Sequence, residues 1–139
     1  MRHGDEHREE ALTAGYHVSE IFFPYRLTFL GAGILGFAGV GAAAMSAHAG
    51  DDPRLASAVA LVCLTHAPAL LILGLYARGG LALRIAALLL FTGAALFSTD
   101  LALRMFGHGR LFSMAAPAGG MTMMAGWIAV ALGALSINR

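Results

Sequence analysis

The residues of this chain whose types could do chemistry are a few ionisable groups set in long apolar runs. The strongest set is His48, Asp100 and Arg104. A carboxylate and a guanidinium four residues apart lie one helical turn from each other, so Asp100 and Arg104 can pair along a helix. His48 closes an earlier apolar run at the same end of the fold, and the three read as a polar cluster pinning helix ends at one membrane face. His66 is different, because it sits alone near the middle of its own apolar run. Ionisable side chains at that depth cost about 2.5–3.5 kcal/mol on insertion scales, so each one needs a reason. For His66 the expected reason is a neutral imidazole hydrogen-bonded to a neighbouring helix. Joint ligation of haem or metal by His48 and His66 is set aside, since His66 lies about 18 Å along its helix from Arg54.

The other candidates reduce to packing. Met121, Met123 and Met124, with Met105 and Met114 near them, offer thioethers of the kind that bind copper. Adjacent positions on a helix point in different directions, so these sulfurs cannot converge on one ion, and flexible packing is their expected use. The single cysteine, Cys63, excludes an internal disulfide and a cysteine zinc site, and reads as a small hydrophobe. No Ser-His-Asp spacing, phosphate loop, paired carboxylates or HExxH pattern is present. No catalytic residue, metal or cofactor is expected, and the chain does not read as an enzyme.

The elements that must hold these residues follow from composition. The chain has 139 residues, enough for one domain, of which 58% are hydrophobic and 12% charged. A soluble fold this small could not bury so much apolar surface, which leaves lipid as the solvent. A net charge of +1 without a basic tract excludes nucleic acid as a partner. All cationic residues besides histidine are arginine, and Ala and Gly abound, a composition that fits a GC-rich bacterial genome.

Four uncharged or nearly uncharged runs, at about 27–48, 55–77, 81–106 and 113–137, predict an all-α integral membrane four-helix bundle. Residues 1–26 form a polar, cytoplasmic or interfacial N-terminal segment, closing with the aromatic cluster Ile21-Phe22-Phe23-Pro24-Tyr25-Arg26 at headgroup level. Ala47-His48-Ala49 resembles a signal-peptidase site, but the apolar stretch before it is too long and Gly-rich, and its flank too acidic, for a signal peptide. Turns fall at Gly50-Asp51-Asp52-Pro53, Arg78-Gly79-Gly80 and Gly107-His108-Gly109-Arg110. Four spans place both termini on one side. Six arginines (Arg2, Arg8, Arg26, Arg78, Arg84, Arg139) lie there against three opposite (Arg54, Arg104, Arg110), which predicts cytoplasmic termini.

In lipid, helices associate through close contact between small residues. Gly119, Gly126 and Gly133 mark such a seam on the fourth helix, and Gly36 and Gly39 mark one on the first.

Short motifs carry a family resemblance over about residues 27–137: Ala47-His48, Thr65-His66-Ala67, Phe97-Ser98, Pro117-Ala118-Gly119-Gly120 and Ala125-Gly126-Trp127. On these the chain resembles an uncharacterised family of small four-helix membrane proteins, a domain of unknown function typified by the bacterial inner-membrane protein YgdD. Thr65 and Asp100 depart from that family's usual Tyr and Ser, and the leader is longer than usual. The resemblance implies a four-helix inner-membrane bundle and supplies no reaction.

The functional expectation is a non-enzymatic accessory or stabilising subunit that meets membrane lipids and packs against another membrane protein or a second copy of itself. The alternative is a small carrier of protons, ions or a lipophilic ligand, using His66 and the His48–Asp100–Arg104 set. A redox or quinone-associated subunit is the third reading.

Overall fold

A run of about twenty apolar residues can satisfy its backbone in lipid only by closing every hydrogen bond within the segment, as an α-helix does. The chain does this four times in a computed structural model: α1 His3–His48, α2 Arg54–Leu75, α3 Gly80–Met105 and α4 Ala115–Ser136. The structure describes residues 3–48, 53–76 and 80–136, with side chains over 26–48, 53–76 and 80–135. The aromatic side chains at 21–25, the acidic turn at 50–52, Arg78-Gly79 and the C-terminal Asn138-Arg139 lie outside the described residues.

Each helix holds a stretch long and apolar enough to cross a membrane: Arg26–His48, Arg54–Leu75, Gly80–Met105 and Ala115–Leu135. The molecule is a four-helix bundle and a multi-pass membrane protein. Its surface is consistent with lipid as solvent, since Phe37, Leu75, Leu81 and Leu135 are all largely exposed, while the interior is built from Leu35, Cys63, Leu70, Ala86, Leu90 and Ala94. The ends of α2, α3 and α4 fall within one or two residues of the sequence expectation, and α1 begins much earlier. Helix continues back to His3 through a polar stretch in which Glu6, Arg8, Glu9, Glu10, Ala11 and Leu12, all good helix formers, run almost together. Pro24 therefore lies inside α1.

The helices pair as two hairpins. α1 packs on α2, α4 packs on α3, and the hairpins meet mainly through α2 and α3, with a shorter contact between α1 and α3. Among the described residues, no Cα of α4 comes within 8 Å of a Cα of α1 or α2. By backbone contact α1, α2 and α3 adjoin one another, and α4 flanks α3 alone.

Small residues set these pairings. At the α3–α4 crossing, Gly93 and Gly119 face each other. A Cβ on Gly119 would lie 2.7 Å from the Phe97 backbone nitrogen and 2.8 Å from the Gly93 carbonyl oxygen. Further along α4, Gly126 takes the Leu90 side chain and Gly133 takes Leu83. Between α1 and α2, Gly39 sits against Leu64 and Cys63, and Gly74 against Phe29. Gly36 has room to spare, for a Cβ there would meet only Ala67 at 3.9 Å. The glycine seam of α4 is thus turned toward α3, with Gly93 as the counterpart that periodicity on α4 alone did not reveal.

Candidate functional site in the membrane interior

Sequence reasoning singled out four ionisable residues, and of the three near helix ends two are exposed and one is buried. His48 is the last residue of α1 and is exposed. Arg104 lies in the last turn of α3 and is also exposed. Asp100, one turn earlier, is only 1% exposed. Its Oδ1 accepts a hydrogen bond from the Leu111 backbone N–H at 2.8 Å. That bond, in place of the expected pairing with Arg104, is how the carboxylate is held. Leu111 belongs to the α3–α4 loop, so Asp100 ties the loop back onto the helix that precedes it. The loop begins with a defined helix stop. Gly107 has φ +77°, its N–H bonds Arg104 O at 3.2 Å, and the His108 N–H bonds Leu103 O at 2.9 Å. This paired pattern closes helix C-termini when a glycine supplies the left-handed residue.

His66 is buried, at 8% exposure, midway along α2. Its Nδ1 is 2.8 Å from the Val62 carbonyl oxygen, one turn back, and 3.2 Å from Thr65 Oγ1. A carbonyl can only accept, so Nδ1 carries the proton and Nε2 is an acceptor. That acceptor meets the indole N–H of Trp127 on α4 at 3.3 Å. The two rings lie 5.9 Å apart, inclined at 58°. These long side chains span the gap that the backbones of α2 and α4 leave open. Trp127 is the partner of His66 that sequence reasoning did not name, although its indole donor at the middle of an apolar helix was a visible signal.

A third buried contact joins Cys63 on α2 to Ser98 on α3, Sγ to Oγ at 3.2 Å. Threonines in the spans turn back on their own helices: Thr65 Oγ1 donates to Leu61 O at 2.7 Å, Thr92 to Leu88 O at 2.8 Å and Thr122 to Ala118 O at 2.8 Å. Among the described residues, no buried side-chain nitrogen or oxygen lacks a partner. No group of three His, Cys, Asp or Glu in the described residues is placed to hold a metal ion. Of the α4 methionines, Met123 packs inward near Gly93, while Met121 and Met124 face outward. Their sulfurs do not converge.

What the arrangement does chemically is to neutralise buried polarity locally. The buried imidazole, carboxylate, thiol and Ser98 hydroxyl each meet a partner within the chain, as do the less buried threonine hydroxyls, and two of those contacts, His66–Trp127 and Cys63–Ser98, cross between helices of the two hairpins.

Fold and site together define a small multi-pass membrane protein whose interior polar groups tie its helices to one another. Residues 42–120, more than half of the chain, match the protein family of unknown function DUF423, and the chain belongs to that family. The match agrees with the resemblance to an uncharacterised membrane family and carries no type member. It spans His48, His66, Asp100 and Arg104 and ends before Trp127. No curated protein and no solved structure matches the chain significantly.

Proposed function

We propose that this protein is a non-enzymatic accessory subunit of the bacterial inner membrane, with both termini cytoplasmic, that packs against another membrane protein and stabilises it. The observation that carries this reading is the local satisfaction of the buried polar groups. A proton or ion carrier needs polar groups that recur at successive depths and are free to exchange partners. Here His66 is engaged at both ring nitrogens and the span threonines bond their own carbonyls. Large apolar side chains meanwhile face outward along every helix, available to lipid or to a neighbouring protein.

Affinity isolation of the full chain from native membranes in mild detergent, followed by mass spectrometry, tests the reading. A stoichiometric membrane-protein partner is the expected result. Purified chain that conducts protons or ions into liposomes, and ceases to do so with His66→Ala, would overturn it.

A further inference from the structure

We propose that the open seam between α1 and α3 holds one anionic phospholipid, with an acyl chain in a cleft and the phosphate on Arg84. The inference does not depend on the accessory reading, since a bound structural lipid suits a subunit and a carrier equally.

The cleft follows from how the helices pair. α1 and α3 both lean on α2 and touch each other only briefly, so a groove floored by α2 runs between them. Where they do touch, the Phe91 ring rests on Gly31, and a Cβ at Gly31 would lie 2.9 Å from the ring. That contact closes the deep end of a cavity of about 180 Å³. Leu70 and Leu73 of α2 form its floor, and Leu27, Leu83, Ala87 and Leu88 contribute to its walls. Leu27 and Leu88 are more than half exposed, so the cleft opens sideways into lipid.

Arg84 makes the cleft more than a gap between helices. It lines the same cavity four residues after Gly80, the first residue of α3, about 6 Å below the helix end. At that depth its aliphatic stem can lie along apolar surface while the guanidinium reaches the headgroup layer. Phe91 lies seven residues on, about 10 Å deeper. A cation at the mouth and an apolar chamber below it complement a phosphate joined to an acyl chain. Basic pockets between transmembrane helices recognise anionic headgroups in this way. Asp100 is the one carboxylate whose side chain is described, and it lies sixteen residues along the same helix, about 24 Å from Arg84. The second cleft on this seam, about 280 Å³ at the opposite end, is lined by residues such as Phe37, Met45, Val59 and Met105 and by no charged side chain. Charge complementarity therefore singles out the first.

Native mass spectrometry of the full chain in detergent micelles, doped with phosphatidylglycerol or with phosphatidylcholine, tests the assignment. The wild-type chain should retain one phosphatidylglycerol in preference to phosphatidylcholine. Arg84→Gln should lower that preference about fivefold, and Arg84→Lys should restore most of it. Ala87→Phe, which fills the cleft and leaves the cation, should lower retention of both lipids. Arg84 is exposed, so Arg84→Gln should melt with the wild-type chain, and its loss of lipid is then not misfolding. Equal retention of the two lipids, or a preference unchanged in Arg84→Gln, overturns the proposal. Inorganic phosphate bound as well as phosphatidylglycerol overturns it too, because the acyl chain would then contribute nothing.

Discussion

Asp100 shows how much one residue's meaning depends on its partner. The spacing of Asp100 and Arg104 pointed to an ion pair along the helix. The backbone N–H of Leu111, eleven residues on, holds the carboxylate instead. A loop that folds back over a helix end leaves no periodic trace in sequence, so this contact was not legible there. It makes a sharp prediction. Asp100→Ala removes the buried carboxylate that holds the Leu111 N–H and with it the tie between loop and helix, and should destabilise the purified protein by about 2 kcal/mol. Asp100→Asn keeps an oxygen in place and should lose less. Thermal unfolding in detergent ranks the two, and equal losses would mean that the Leu111 bond contributes little. His66 was more legible, since a lone histidine at mid-span had to find a partner on another helix. Which partner could not be read, because depth along two helices is known from sequence only to within a turn or two.

At the scale of elements, the helices themselves were plain in the sequence. Uncharged runs fixed four spans, and only α1 departs, extending back to His3 where a polar helix needs no lipid. The packing seams were half legible. Small residues at heptad spacing mark a face without naming the helix it meets, and Gly36 and Gly119 look alike by that measure. Their surroundings separate them. A Cβ at Gly119 would be driven into the backbone of α3, at 2.7 Å from the Phe97 nitrogen, whereas one at Gly36 would meet Ala67 at 3.9 Å. Gly119→Ala should therefore force α4 away from α3 and cost about 1–3 kcal/mol, as overpacking does. Gly36→Ala should be neutral or slightly stabilising, because alanine favours helix over glycine. Paired melting curves in one detergent check this, and a tolerant Gly119 would show that the two helices can separate without penalty.

The whole molecule is two hairpins joined chiefly through α2 and α3, and that architecture concentrates importance in the few side chains that cross between them. His66 and Trp127 bridge helices whose backbones stay apart, so their bond is a strut between the hairpins. Trp127 is also the chain's one tryptophan, which gives the strut an optical reporter. His66→Ala should shift its emission and destabilise the protein, as should Trp127→Phe measured by melting. The double variant should lose less than the sum of the two, with a coupling of about 0.6 kcal/mol, the usual size for hydrogen bonds between membrane helices. Additive losses would mean the rings merely adjoin. The same architecture fixes which ends of the helices share a membrane face. The start of the α1 span at Arg26, the end of α2 at Leu75 and the start of α3 at Gly80 lie together, with the α3–α4 loop at the opposite face. The proposed orientation puts the first of these faces in the cytoplasm, on the ground that cytoplasmic flanks of membrane spans carry the excess of Arg and Lys. Alkaline phosphatase, which is active only outside the cytoplasm, should be inactive when fused after Arg139 and active when fused near Gly109. The reverse pattern would turn the molecule over in the membrane, and would place the Arg84 cleft in the outer leaflet.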